Sequence, residues 1–190
     1  MDLSKVASHT PDEDADGRRN AAVVVPIMES GGEYSILFVK RSDNLGEHPG
    51  QMAFPGGSQE PSDEGILATA FREATEEIGL TRDESEVIGP LDPISTVSDY
   101  AVSPFVVEVP DRGYDPDGRE IEEIAKIDVD AILTPRNYES ERRSHPKYGT
   151  SIVHFFHVDG YTVWGATGRI LAQFLELAYD WAPPNGPNEA

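Results

Sequence analysis

The stretch Arg72-Glu73-Ala74-Thr75-Glu76-Glu77-Ile78-Gly79-Leu80 decides how the rest of this sequence is interpreted. The apolar residues that lead into it recur with period 3.6, which predicts an amphipathic helix over 62–79 closed by a glycine C-cap. On such a helix Glu73, Glu76 and Glu77 share one flank beside the apolar face. Carboxylates three and four residues apart repel each other, so this flank predicts a compensating cation.

A glycine pair lies ahead of this helix, in Phe54-Pro55-Gly56-Gly57. Glycines allow backbone to approach a site closely, and a backbone carbonyl there can join a shell of metal ligands. Arg72 can reach Glu76 one turn along the helix. The alternative reading is a solvated acidic surface. The ordered combination of glycines, turn and acidic helix flank favours a metal site that binds phosphate.

The composition excludes several other classes of function. The chain has 190 residues, with 35 Asp and Glu against 15 Lys and Arg, a formal net charge of −20, and no cysteine. The lack of cysteine excludes disulfide scaffolds, thiolate metal sites and cysteine nucleophiles. Such negative charge disfavours nucleic acid and anionic lipid as partners. An acid-rich chain with only four lysines also suggests a halophilic protein, adapted to molar salt.

The chain is expected to form one domain with loose ends. Residues 1–19 predict a mobile arm, 20–182 the domain, and 183–190 a flexible tail rich in Pro, Gly and Asn. The longest apolar run, Ala21–Met28, is far shorter than the ~20 residues that a transmembrane helix needs. No membrane span and no signal-peptide core are expected, so the predicted location is cytoplasmic.

The pattern of elements predicts an α+β fold or a three-layer sandwich. Two β-rich runs at 21–28 and 34–40 flank a Gly-containing turn and predict a hairpin. A second amphipathic helix is predicted over 166–181, and 120–133 is interpreted as a strand followed by a short helix. Further strands are predicted at Val87–Ile88, Ile94–Val97, Phe105–Val109 and Ile152–Val158.

The glycine pair and the stretch 72–80 together resemble a motif of the Nudix hydrolases. In that family the motif, called the Nudix box, reads Gly, five residues, Glu, seven residues, then Arg-Glu-apolar-x-Glu-Glu-x-Gly-apolar. Gly57 and the stretch 72–80 match this pattern. The box is longer by one residue here. Counting forward from Gly57 reaches Asp63, whereas counting back from Arg72 reaches Glu64, so either acid can correspond to the first Glu of the box.

The longer box resembles the coenzyme A pyrophosphatase branch of this family. Residues 40–57 are similar to its Arg-Ser-x-x-Leu-Arg-x-His-x-Gly-x-x-x-Phe-Pro-Gly-Gly signature, except that Gly46 stands in place of the second Arg. Two later segments also agree with the branch, namely Ser103–Val106 with its Pro-Phe strand and Val163–Leu171 with its Trp-Gly-x-Thr helix start.

The resemblance implies a Nudix-like α/β/α sandwich, in which a mixed sheet lies between helices. It implies hydrolysis of a diphosphate linkage in a small-molecule nucleotide derivative, with Mg²⁺ or Mn²⁺ as cofactor. Coenzyme A or an acyl-CoA is the expected substrate, cleaved to 3′,5′-ADP and 4′-phosphopantetheine or its acyl derivative. The alternatives are another nucleoside diphosphate derivative such as ADP-ribose, or a nucleotide-binding sensor without catalysis. Oligomeric state is left open.

The resemblance also assigns roles to individual residues, with the catalytic base left open between Glu73 and Glu120. The implied metal ligands are Gly57, Glu73, Glu76 and Glu77. The implied catalytic residues are Arg72, Glu73, Glu76 and Glu120, and the implied substrate-binding residues are Arg41, His48 and Gln51.

Overall fold

The computed structural model describes residues 1–12, 15, 17–44, 49–145, 149–184 and 188–189. The helices are α1 (Leu3–Ala7), α2 (Ile66–Ile78), α3 (Val129–Ile132) and α4 (Gly165–Tyr179). The strands are β1 (Arg19–Ser30), β2 (Glu33–Arg41), β3 (Met52–Ala53), β4 (Gly56–Ser58), β5 (Glu86–Pro90), β6 (Ile94–Ser95), β7 (Tyr100–Glu108), β8 (Ile121–Asp128), β9 (Tyr138–His145), β10 (Gly149–Val158), β11 (Tyr161–Trp164) and β12 (Asn188–Glu189).

The main sheet is mixed and is built around β1. This strand pairs antiparallel with β2, as the predicted hairpin requires, and parallel with β7. The path through the sheet runs β3-β2-β1-β7-β5. Three further strands join it at the side, because β4 pairs with β1, β6 with β7 and β8 with β2.

Each face of this sheet carries its own apolar core, because successive strand residues point to opposite faces. On one face, Val24 of β1 and Leu37 of β2 are buried against Ala74 of α2. On the other face, Val25 and Ile36 belong to a second core that includes α4. The sheet therefore lies between helices.

A second sheet, ordered β11-β10-β9-β12, closes the α4 side of the molecule. Its inward side chains include Tyr138 and Phe156, whose ring centroids are 5.2 Å apart. Trp181 packs against both rings, at centroid distances of 5.1 Å and 5.8 Å. Strand β11 also lies against β3, so the second sheet adjoins the segment that leads into the glycine pair.

The predicted α+β fold with a mixed sheet between helices is confirmed. The segment 120–133 forms a strand and then a short helix, as predicted. Helix α2 begins at Ile66 rather than at 62, because residues 60–65 form a separate turn in which Asp63 N–H donates to the carbonyl of Glu60. Strands β3, β4, β9, β11 and β12 were not predicted.

Part of the predicted N-terminal arm is folded against the domain. Helix α1 lies against α4 and buries Val6 completely. His9 Nε2 also lies 2.8 Å from a carboxylate oxygen of Asp92. The domain limits at residues 19 and 182 stay predictions. Within the described ranges, no helix is both long and apolar enough to cross a bilayer.

Candidate active site

The glycine pair brings bare backbone between β1 and the acidic flank of α2. Strand β4 pairs with β1, and a Cβ on Gly56 would lie 2.2 Å from the carbonyl oxygen of Ala22. Gly56 also has φ +150°, which side-chain-bearing residues rarely adopt. A Cβ on Gly57 would lie 2.5 Å from Cδ of Glu73. Gly56 therefore requires glycine for close packing against β1, whereas a side chain at position 57 would displace the Glu73 carboxylate.

Glu77 is the buried carboxylate of the site, with only 7% of its surface exposed. Its Oε2 accepts a hydrogen bond of 2.9 Å from the backbone N–H of Gly56. Burial raises the pKa of Glu77 to about 8, although the Gly56 hydrogen bond and the charge of Arg41 act in the opposite direction. The protein alone therefore compensates the charge of Glu77 incompletely.

Arg72 connects the other two carboxylates of the helix. Its Nη2 lies 3.0 Å from Oε1 of Glu73, and its Nη1 lies 3.5 Å from Oε2 of Glu76. The Glu76 side chain is 61% exposed and faces solvent, whereas that of Glu73 is 20% exposed. Burial raises the pKa of Glu73, with Arg72 opposing the change.

Asp63 also holds Arg72, through both of its carboxylate oxygens. Arg72 Nε donates to Asp63 Oδ1 over 3.0 Å, and Arg72 Nη2 donates to the carbonyl of Ser58 over 2.9 Å. The hydroxyl of Thr69 donates to Asp63 Oδ2 over 2.8 Å. Hydrogen bonding from Arg72 lowers the pKa of Asp63 to about 2. Of the two acids left open by the long box, Asp63 contacts Arg72 and Glu64 is exposed.

Glu120 lies in the turn that precedes β8, and its carboxylate interacts electrostatically with the carboxylates of Glu73 and Glu77. Its negative charge contributes to raising the pKa of both Glu73 and Glu77. The turn is held by Asp117, whose Oδ1 accepts the backbone N–H of Glu120 over 3.0 Å. Sequence reasoning missed Asp117, although an Asp-Gly pair three residues before a candidate glutamate is a usable turn signal.

Two of the predicted substrate-binding residues are described: Arg41 ends β2, and Gln51 directly precedes β3. The Nε of Arg41 is buried and has no hydrogen-bond partner within the part of the chain that the structure describes. The backbone N–H of Arg41 donates to the carbonyl of Gln51 over 3.0 Å, which joins the two segments. His48 lies outside the described residues, as does Gly46.

A cavity of about 390 Å³ is lined by residues that include Asp92, His154 and Arg169, and none of the predicted site residues lines it. Among the described residues, no three His, Asp or Glu side chains already stand together as a metal-binding group. The carboxylates of Glu73, Glu76 and Glu77 thus lie in one region, but they are not yet arranged as a complete set of metal ligands.

Comparison with known proteins identifies the family. Residues 17–148 match the model of the NUDIX domain. This chain belongs to the Nudix hydrolase family. The uncharacterized Nudix hydrolase NudL of Photorhabdus laumondii subsp. laumondii is 31% identical over 166 residues, which cover 85% of this chain and 86% of that protein. The protein of the same name from Enterobacter sp. (strain 638) is 32% identical over 160 residues, covering 82% and 81%.

One solved structure agrees with this Nudix assignment at the level of the fold. A MutT/nudix family protein from Enterococcus faecalis aligns with a TM-score of 0.53 at 13% identity, over 91% of this chain and 66% of that chain. The prediction that the chain is an enzyme, a Nudix pyrophosphohydrolase, is confirmed by the family match. The roles of the individual site residues stay predictions.

Proposed function

We propose that this Nudix hydrolase cleaves the diphosphate linkage of a nucleotide derivative, and that the substrate is coenzyme A or an acyl-CoA. The products are then 3′,5′-ADP and 4′-phosphopantetheine, or its acyl derivative. The observation that supports the reaction is the packing of the Glu73 and Glu77 carboxylates against the bare backbone of Gly56 and Gly57. The choice of coenzyme A rests on the similarity of residues 40–57 to the signature of that branch.

The donor set fits Mg²⁺ or Mn²⁺ in its chemistry, since both cations prefer oxygen ligands. Burial raises the pKa of Glu73 and of Glu77, which is the electrostatic situation that a bound cation would relieve. We assign Glu73, Glu76, Glu77 and the Gly57 carbonyl as ligands. A divalent cation bound there supplies charge compensation for the diphosphate oxygens and lowers the pKa of a water molecule.

The remaining roles fall to side chains around these ligands. Glu73 or Glu120 takes the proton of the attacking water, because both present carboxylate oxygens to the site. Arg72 orients Glu73 and Glu76 through charge-assisted hydrogen bonds. Arg41 has a buried guanidinium nitrogen without a partner in the described residues, and it can donate to an anionic group of the substrate. Together with Gln51 and His48, it forms the proposed substrate-binding set.

Two other functions are outcomes of the same test. Gly46 replaces an arginine of the branch signature, which keeps ADP-ribose and other nucleoside diphosphate derivatives as competing substrates. A nucleotide-binding sensor without catalysis is disfavoured, because such a protein has no need to keep three mutually repelling carboxylates on one helix flank. A cytoplasmic location is part of the proposal.

The test is a substrate panel with purified protein in molar KCl. Coenzyme A, ADP-ribose, NADH and nucleoside triphosphates are each incubated with Mg²⁺, with Mn²⁺ or with a chelator, and the products are identified by mass. Preferential release of 3′,5′-ADP from coenzyme A, only in the presence of metal, supports the proposal. Preferential cleavage of another substrate overturns the coenzyme A assignment, and the absence of any cleavage by folded protein favours the sensor.

A pair of variants connects this activity to the acidic helix. Glu76→Gln removes one carboxylate from the exposed flank of α2, and we expect turnover to fall by orders of magnitude while the melting temperature is kept. Glu86→Gln is the matched control, since it removes the same charge from an exposed position of β5. Near-normal turnover in Glu76→Gln would show that the chemistry takes place elsewhere.

A further inference from the structure

The turn that carries Glu120 is organised by one side-chain oxygen. Oδ1 of Asp117 accepts three successive backbone N–H groups, from Arg119 at 3.1 Å, Glu120 at 3.0 Å and Ile121 at 2.9 Å. Gly118 supplies the positive φ of +71° that the turn needs. The backbone direction at Glu120 is therefore set by the carboxylate of Asp117.

The same turn is tied to two elements that carry the site. The backbone N–H of Asp117 donates to the carbonyl of Glu77 over 2.9 Å, which fastens the turn to the last turn of α2. The carbonyl of Glu120 accepts the N–H of Ser42 over 2.8 Å, just beyond the end of β2. Ile121, the next residue, is completely buried. Glu120 is thus held between the acidic helix and the strand that presents Arg41.

The contacts of Asp117 distinguish it from an ordinary surface acid. Its side chain is only 12% exposed, and its charged partner Arg119 is 90% exposed with Nε 3.7 Å from Oδ2. An ion pair that is so long and so accessible to water contributes little to stability. The hydrogen bonds to the backbone are therefore the main interaction of this carboxylate.

We infer that Asp117 is a positioning residue, which fixes the turn so that Glu120 faces Glu73 and Glu77. The inference rests on the proposed function, because Glu120 needs a role in metal binding or water activation for its position to matter. The carboxylate of Asp117 is engaged by the backbone of its own turn, so the inference assigns it no contact with substrate or metal. Its loss should lower kcat, because Glu120 leaves its position. KM for the substrate should stay nearly unchanged, because the backbone hydrogen bond between Arg41 and Gln51 does not involve this turn.

The test is a double-mutant cycle of Asp117→Ala and Glu120→Gln, measured with the substrate that the panel identifies. We expect Asp117→Ala to lower kcat by about 10- to 100-fold, the range typical for groups that orient a ligand. In the Glu120→Gln background the same change should have almost no further effect, because the residue through which Asp117 acts is already lost. Asp117→Asn should keep most of the activity, since its Oδ1 can still accept the three N–H groups.

Several outcomes would overturn the inference. Equal losses in both backgrounds would give Asp117 a general structural role, as would a rise in KM with kcat unchanged. Wild-type kcat in a folded Asp117→Ala would show that Asp117 does not affect the reaction. If Asp117→Ala does not fold, Asp117→Ser replaces it, because a shorter hydroxyl cannot reach all three donors. Arg119→Ala is the control, because it breaks only the weak ion pair and should keep wild-type kcat.

Failure of the proposed function is distinguishable from failure of this inference. If the wild-type protein cleaves nothing in the panel, the proposed function is at fault, and the inference that rests on it is overturned with it. If the wild type is active and Glu120→Gln retains full kcat, the Nudix reaction stands and the positioning role of Asp117 is refuted.

Discussion

At the scale of single residues, the carboxylate of Asp63 determines how Arg72 is held. Both oxygens of Asp63 are engaged, one by Arg72 Nε and the other by the hydroxyl of Thr69. Arg72 in turn contacts Glu73 and Glu76. We expect Asp63→Ala to lower turnover at least about tenfold, because Arg72 loses the partner that fixes its orientation. Steady-state kinetics with the preferred substrate would measure this loss.

The neighbouring acid provides the control for that prediction. Glu64 is exposed and follows Asp63 directly, so Glu64→Ala removes the same charge next to the same helix. Its turnover should equal that of the wild type. The reverse result, with Glu64→Ala impaired and Asp63→Ala active, would contradict the role of Asp63 and assign the first acid of the box to Glu64.

The sequence was sufficient to identify the helix carboxylates, but not this supporting acid. Glu73, Glu76 and Glu77 follow from helical periodicity alone, since their angles on the helix are set by their spacing. Counting along the chain does not decide whether Asp63 or Glu64 corresponds to the first Glu of the box. The extra residue lies in a turn, and a turn has no fixed period. Only the hydrogen bonds of that turn, between Asp63 and Glu60, decide which acid faces Arg72.

At the scale of elements, the close approach of β4 to α2 sets the position of the Glu73 carboxylate. A methyl group on Gly57 would lie within 2.7 Å of all three carboxylate atoms of Glu73. That carboxylate is the end of a flexible side chain, so it can move away at small cost in stability. We expect Gly57→Ala to lower kcat by about 100-fold, the effect of misplacing a reacting group by about 1 Å, while thermal unfolding stays near that of the wild type.

A second glycine shows whether the effect is specific. Gly113 has an ordinary φ and open space around its Cα, so Gly113→Ala introduces the same methyl group without a contact. We expect wild-type kcat for this variant. Equal kinetics of Gly57→Ala and the wild type would mean that the packing between β4 and α2 does not control the reaction.

The elements that could be predicted are those whose pattern is local. Helix α2 and the β1–β2 hairpin show clear periodicity or a glycine turn, and both form, although α2 begins at Ile66 rather than at 62. Strand β9 was missed because its sequence, Tyr-Glu-Ser-Glu-Arg-Arg-Ser-His, is almost entirely polar. It becomes a strand through pairing with β10, which buries Tyr138 and Ser140 on one face. Such a tertiary pairing leaves little trace in the sequence of a single segment.

At the scale of the whole molecule, the net charge of −20 acts on stability as well as on partners. Only some of the acids have cationic partners, since 15 Lys and Arg stand against 35 Asp and Glu. The surface therefore repels itself at low ionic strength and destabilises the compact state. Salt reduces the range of this repulsion from about 10 Å at 0.1 M to about 3 Å at 1 M.

We therefore expect the melting temperature to rise when KCl is increased from about 0.1 M to about 1 M, where the screening length approaches the size of an ion pair. The measurement is thermal unfolding followed by circular dichroism, without divalent metal, so that binding at the active site does not contribute. A variant with Glu64→Gln, Glu86→Gln and Asp115→Asn removes three exposed charges and should melt at a higher temperature in low salt, with a smaller response to KCl. A melting temperature that falls with KCl, or a response identical in the two proteins, would show that charge repulsion does not limit the stability of this fold.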